Sequence, residues 1–212
     1  MSSFADSVTD DMVKNIDQTY ATLLSKAPKN MRLRKTQQRY RSKIQVNLMK
    51  SIKNSDWENR LIYQVISAKL QQKGKSFQSS TADLITQFWV INETNRIRKE
   101  NNLQELQYNY LLSWAAYNHA NDMYRNFAKD ELSHTSSNGD TLKERIEKVG
   151  YNAFYGSENV AYGQTTRQQV MRERMQSEWH KKNILSDSIT EIGVSKMGPY
   201  WVQDFGTQRV NK

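Results

Sequence analysis

No cysteine occurs among the 212 residues. That excludes disulfides, thiolate metal sites and cysteine nucleophiles, though it does not fix the compartment. No apolar run approaches the ~20 residues that a membrane span needs. The first thirty residues carry Asp6, Asp10, Asp11 and Asp17 and no hydrophobic block, so no secretory signal is expected there. The protein then either stays in the cytosol or has had a signal removed. Glycine is scarce early: only Gly74 precedes residue 81, and the other seven follow it. Acidic residues are missing altogether between Arg32 and Lys53.

What is present divides at the same place. Residues 1–80 contain 15 Lys+Arg and 6 Asp+Glu, a balance of +9, whereas residues 81–212 contain 16 of each and balance to zero. The charge and glycine shifts coincide, and the run Gly74-Lys75-Ser76-Phe77-Gln78-Ser79-Ser80-Thr81 reads as a linker. The expected organisation is a basic helical extension over 1–80 and a second domain over 82–212.

The extension reads as helical throughout. Met12, Ile16, Tyr20 and Leu23/Leu24 recur at helical spacing behind a Thr9 cap, and Pro28 stops that helix. Leu33, Tyr40, Ile44, Leu48 and Ile52 form a second stripe. Ser55 and Glu58 have capping-box spacing before a third, on Trp57, Leu61, Val65 and Ala68. The second helix carries the charge: Arg32, Arg34, Lys35, Arg39, Arg41, Lys43, Lys50 and Lys53. Such a run fits an acidic partner protein or another anionic surface. Nucleic acid is disfavoured because no recognisable nucleic-acid motif accompanies the charge.

In the second domain, Leu84, Phe88, Ile91 and Ile97 mark a helix ending near Asn101-Asn102, and a further helix is expected over about 108–127. His119 lies on that helix's apolar face and reads as a core histidine with a hydrogen-bond partner. Thr141–Glu144 is a capping box with Gly150 as the following C-terminal cap, and Thr166 opens another helix running towards Ser177 and His180. Short strands are expected at Glu158–Tyr162, Ile192–Ser195 and Tyr200–Phe205, the last two joined by a turn at Met197-Gly198-Pro199. Alternating helices and short strands of this kind argue an α/β layered domain with an antiparallel sheet.

His134, Glu158 and His180 are the candidate site. Two imidazoles and a carboxylate are ligand types of an open site for a divalent metal such as zinc, and they serve equally as a general acid/base cluster. Ser177 lies three residues before His180, so on a continuous helix it would share that face, whereas Glu178 would point away.

Residues about 84–206 resemble the CAP superfamily (the SCP domain of cysteine-rich secretory, antigen and pathogenesis-related proteins), in its bacterial cysteine-free form. The likeness is carried in order by Asn92 and Arg96, by Ser133-His134-Thr135, by Arg145 with Gly150-Tyr151, and by Glu158-Asn159-Val160-Ala161. It continues through Met175, Ser177, His180 and Asn183-Ile184-Leu185 to Thr190–Val194 and Tyr200–Gly206. The resemblance implies an α-β-α sandwich with a central antiparallel sheet and a surface cleft at His134, Glu158 and His180. It implies a secreted or periplasmic protein, with a cytoplasmic one as the alternative, and lipids or other small ligands as further candidates. Ser157 and Trp179 replace glycines usual before the motif glutamate and the second histidine, and an indole beside His180 would narrow the cleft.

The favoured function is a non-enzymatic binding or scaffold protein, its basic arm docked on an acidic partner. A metal-dependent hydrolase using the His134/Glu158/His180 cleft and a purely structural component are the alternatives. Neither a nucleophile elbow nor an HExxH pair is present to favour the hydrolase.

Overall fold

The computed structural model describes residues 10–26, 44 and 57–209. Apart from Ile44, the basic run expected over 32–53 lies outside the described residues. The chain divides into two compact units, one up to Phe88 and one from Trp89.

Within the first unit are α1 (Asp10–Ser25) and α2 (Trp57–Gln72). Ile16, Leu61, Val65, Ile66 and Ala68 are buried, the inward stripes that the four-residue spacing predicts. Asp17 ties the helices together, because Lys69 Nζ reaches its Oδ1 at 2.6 Å and Thr81 Oγ1 donates to the same oxygen at 2.7 Å. The next helix, α3 (Thr81–Glu100), contains the boundary between the units, and Asn102 with its φ of 59° follows its end.

The second unit continues with β1 (Gln107–Tyr108), α4 (Tyr110–Asn126), α5 (Leu142–Lys148), β2 (Ala153–Tyr162), α6 (Arg167–Gln176), α7 (Glu178–Ile184), β3 (Glu191–Met197) and β4 (Tyr200–Gln208). One four-stranded sheet has the order β1-β3-β4-β2. The long pairs are antiparallel, and the two-residue β1, absent from the sequence expectation, joins β3 in parallel. β2 is longer than expected, beginning at Ala153 rather than Glu158, because it pairs with β4 nearly to the end of that strand.

Strand alternation decides which side chains meet which helix. Val160 on β2 and Tyr200 and Val202 on β4 pack against Ala116, Ala120 and Met123 of α4. Asn159 and Gln203 point to the other face. There Gln203 Nε2 donates to Thr94 of α3 at 2.9 Å, and Asn183 Nδ2 of α7 donates to Asn159 Oδ1 at 2.9 Å. Helices therefore cover both faces, giving the α-β-α arrangement. Gly193 on β3 is where α4 comes closest: a Cβ there would fall on the Ser113 nitrogen and the Leu112 carbonyl carbon.

Candidate functional site

The site is organised around Glu158, which alternation turns towards the α4 face of β2, the edge strand. Its side chain is 2% exposed and both carboxylate oxygens are engaged. His134 Nδ1 donates to Oε1 at 2.8 Å, and Arg145 Nη2 donates to Oε2 at 2.6 Å. Arg145 also donates through Nη1 to the carbonyl oxygens of His134 at 2.9 Å and Asp140 at 3.0 Å. The same guanidinium thus neutralises Glu158 and fixes the loop that carries His134. The Thr141–Glu144 capping box starts α5 immediately before Arg145, which sets the direction of that side chain.

His119 stands behind this pair. Nε2 lies 2.8 Å from the Ser133 carbonyl oxygen, which can only accept, so Nε2 carries the proton and Nδ1 accepts from Ser136 Oγ at 3.2 Å. Burial pulls its pKa down, against the opposing pull of Glu158. It is the satisfied core histidine expected from the sequence.

The charges decide what His134 offers. Burial pushes the Glu158 pKa up, but the His134 hydrogen bond and the Arg145 charge outweigh it, so the carboxylate stays ionised. Its hydrogen bond in turn raises the pKa of His134. The His134 side chain is 63% exposed. With Nδ1 spent on Glu158, Nε2 is the nitrogen left for anything arriving from solvent.

His180 comes from the opposite layer. Asn159 Nδ2 donates to its carbonyl oxygen at 3.2 Å, and Asn183 Nδ2 donates to the Glu158 carbonyl oxygen at 3.0 Å, so α7 is laced to β2 beside Glu158. Burial first, then the Arg174 charge, then the His134 charge lower the His180 pKa. Ser177 stands elsewhere than a continuous helix would put it. The helix breaks there: Ser177 ends α6 and caps α7, its hydroxyl accepting the His180 N–H at 3.5 Å. Trp179 turns outward, 78% exposed, rather than folding over the site. With Lys181, Lys182 and Leu185 it lines an open groove of about 410 Å³.

The expected three-ligand metal set does not fit these positions. Among the described residues, no group of three or more His, Asp or Glu is placed to hold a metal ion. Each Glu158 oxygen already accepts a hydrogen bond, one from His134 and one from Arg145, and the side chain is buried. It stands instead where a partner orienting a histidine would stand.

Two members of the cluster were not singled out for the site from sequence. Arg145 was noted only as part of the family pattern. Asp204 sits opposite Glu158 in the β2–β4 register and is fully buried. Burial, then the Glu158 charge, push its pKa well above 3.8. A strand alternating Val202, Asp204 on its inward face was a readable signal for it.

The cysteine-rich secretory protein (CAP) family model matches residues 91–205, more than half of the chain and the whole sheet apart from its last residues. The chain belongs to the CAP family. It is 33% identical over 118 residues to the uncharacterised protein YkwD of Bacillus subtilis, a match covering 55% of this chain and 45% of that one. It is 28% identical over 116 residues to the uncharacterised membrane protein YlbC of the same organism, covering 55% and 33%. The match thus spans less than half the length of either relative. Among solved structures, an extracellular SCP-domain protein of Bacillus anthracis superposes with a TM-score of 0.57 at 25% identity, covering 60% of this chain and 42% of that chain. An outer surface protein of Borrelia burgdorferi gives 0.53 at 23% identity, covering 57% and 92%, and shares the fold. Among the described residues of this CAP protein, no helix is long and apolar enough to cross a membrane.

Proposed function

We propose that this CAP protein is a non-enzymatic binding or scaffold protein of the bacterial cell exterior, with a ligand site at His134 and His180. The observation that carries this reading is the locked orientation of His134: Glu158 holds Nδ1 and leaves Nε2 facing solvent. The extracellular and surface-protein relatives favour an exterior location. A metal, if one is taken up, would have to be held through the two imidazoles, with Glu158 as the partner behind His134.

The test follows the ring resonances of His134 and His180 by NMR while zinc, and separately a library of small polar fragments, is added. Both rings should shift together, and His134→Ala should abolish the His180 response. If neither metal nor any fragment moves either ring, the purely structural reading replaces this one.

The basic run is proposed as the docking arm for an acidic protein surface, on the strength of eight cations without an intervening acid. Reversing Arg34, Arg39 and Arg41 together to glutamate should end capture of that partner, and capture should weaken with salt. Capture that survives the reversal would make the run a solvated face.

A further inference from the structure

The short helix α7 has two sides. Asn183 and Ile184 turn towards the sheet: Ile184 is buried, and Asn183 Nδ2 donates to the Glu158 carbonyl oxygen and to Asn159 Oδ1. Glu178, Trp179, Lys181 and Lys182, with Leu185 just beyond the helix, line the open groove of about 410 Å³. Trp179 is the most exposed large hydrophobic side chain among the described residues. Among those residues, no side-chain hydrogen bond or ion pair engages Glu178, Lys181 or Lys182.

A single apolar side chain at a protein surface needs no explanation. An indole on the wall of a groove, beside two unpaired ammonium groups, is a different case. The groove's volume lies within the ~300–1,000 Å³ usual for ligand clefts. Its wall is helical, with the main chain largely spent on its own turns. An extended peptide would therefore find few main-chain partners there, unlike at a sheet edge. Its apolar lining is Trp179 and Leu185 alone, too little to seat it in a bilayer. What the groove offers is a flat aromatic face, two cationic donors and one carboxylate acceptor.

We infer that this groove binds a sugar ring carrying an anionic group, a carboxylate or a phosphate. The C–H face of a pyranose carries slight positive charge and stacks on the negative face of the Trp179 indole. The Lys181 and Lys182 ammonium groups take the anion through charge-assisted hydrogen bonds, and the Glu178 carboxylate accepts from ring hydroxyls. The same carboxylate disfavours a ligand that is anionic throughout, such as an acidic peptide. Neither His134 nor His180 lines the groove, so the site stands whether or not those imidazoles take a ligand.

The test follows the Trp179 indole N–H resonance of the full chain, assigned by its loss in Trp179→Phe. The anionic probes are a tetrasaccharide of alternating glucuronic acid and N-acetylglucosamine, and N-acetylglucosamine 6-phosphate. The controls are a neutral tetrasaccharide of N-acetylglucosamine and a tetraglutamate peptide. One or both anionic sugars should move the resonance, and the responding one names the anion. The neutral tetrasaccharide should bind at least roughly tenfold more weakly, the ordinary worth of a hydrogen bond to a charged group. Tetraglutamate should leave the resonance in place. Lys181→Ala with Lys182→Ala should abolish the preference for the charged sugar. His134→Ala should keep the wild-type response, so a failure of the histidine reading is distinguishable from a failure of this one. A resonance unmoved by both anionic sugars, an equal response to the neutral one, or a preference that survives in the double lysine variant overturns the site. A response to tetraglutamate as strong as to the anionic sugars overturns it in favour of a docking surface for acidic peptides.

Discussion

Asp204 and Glu158 face each other across two strands, and their surroundings drive them to opposite protonation states. Glu158 has Arg145 from α5 and His134 from its loop, with His119 of α4 at 3.9 Å, and stays ionised. Asp204 has burial and the Glu158 charge against it, with only the more distant pull of Arg145 in its favour, and is held protonated. The consequence for stability has a definite sign. The folded pKa is raised above 3.8, so the folded state binds the proton that the unfolded chain releases. Stability is full below that value and falls as pH rises towards the folded pKa, by at most about 1.4 kcal/mol per pH unit. Asp204→Asn removes this dependence. Its Tm minus that of wild type should widen steadily from pH 4 upwards. A difference flat across that range would show that Asp204 is not kept protonated by the fold. Alternation could have marked Asp204 as inward-facing, but not the protonation states of the pair. His134 and Glu158 could be singled out by residue type and order, but that Glu158 is spent on Arg145 depends on a partner 13 residues away in sequence.

At the level of elements, the sequence was most readable where local chemistry decides. The Thr141 capping box, the Thr166 cap and the turn at Gly198 all stand where the spacing puts them, because each is settled within four residues. It was least readable where tertiary contact decides. Nothing local marks the pairing of Gln107–Tyr108 with β3, and the break at Ser177 interrupts a stretch whose apolar spacing continues through it. Gly193 belongs to the second kind. As a residue of the family pattern it looked like part of a strand, yet its reason is the α4 backbone lying directly above it. Gly193→Ala should push α4 off β3 and cost at least the upper end of roughly 1–3 kcal/mol. Urea unfolding reads this directly. A variant within a few tenths of wild type would mean that α4 has room to move.

At the scale of the whole chain, composition located a change of character near residues 74–82, and the family match at 91–205 falls wholly beyond it. The boundary between the two compact units nevertheless falls inside α3, a helix that starts at Thr81. A cut at the composition change therefore falls at the start of this helix. The helix is capped by Ser80, whose Oγ accepts the Asp83 N–H at 3.1 Å and lies 2.6 Å from the Asp83 carboxylate. That cap stands on the extension side of a cut before residue 82. A fragment of residues 82–212 should fold cooperatively, because the sheet, both helical layers and the Glu158 network lie within it. A fragment of residues 80–212 should be more stable by about 1 kcal/mol, the ordinary worth of an N-cap serine. Circular dichroism melts of the two fragments and of 80–212 carrying Ser80→Ala separate the contributions. The Ser80→Ala fragment should match 82–212. A broad, non-cooperative transition in both 82–212 and 80–212 would show instead that these residues do not form a core of their own.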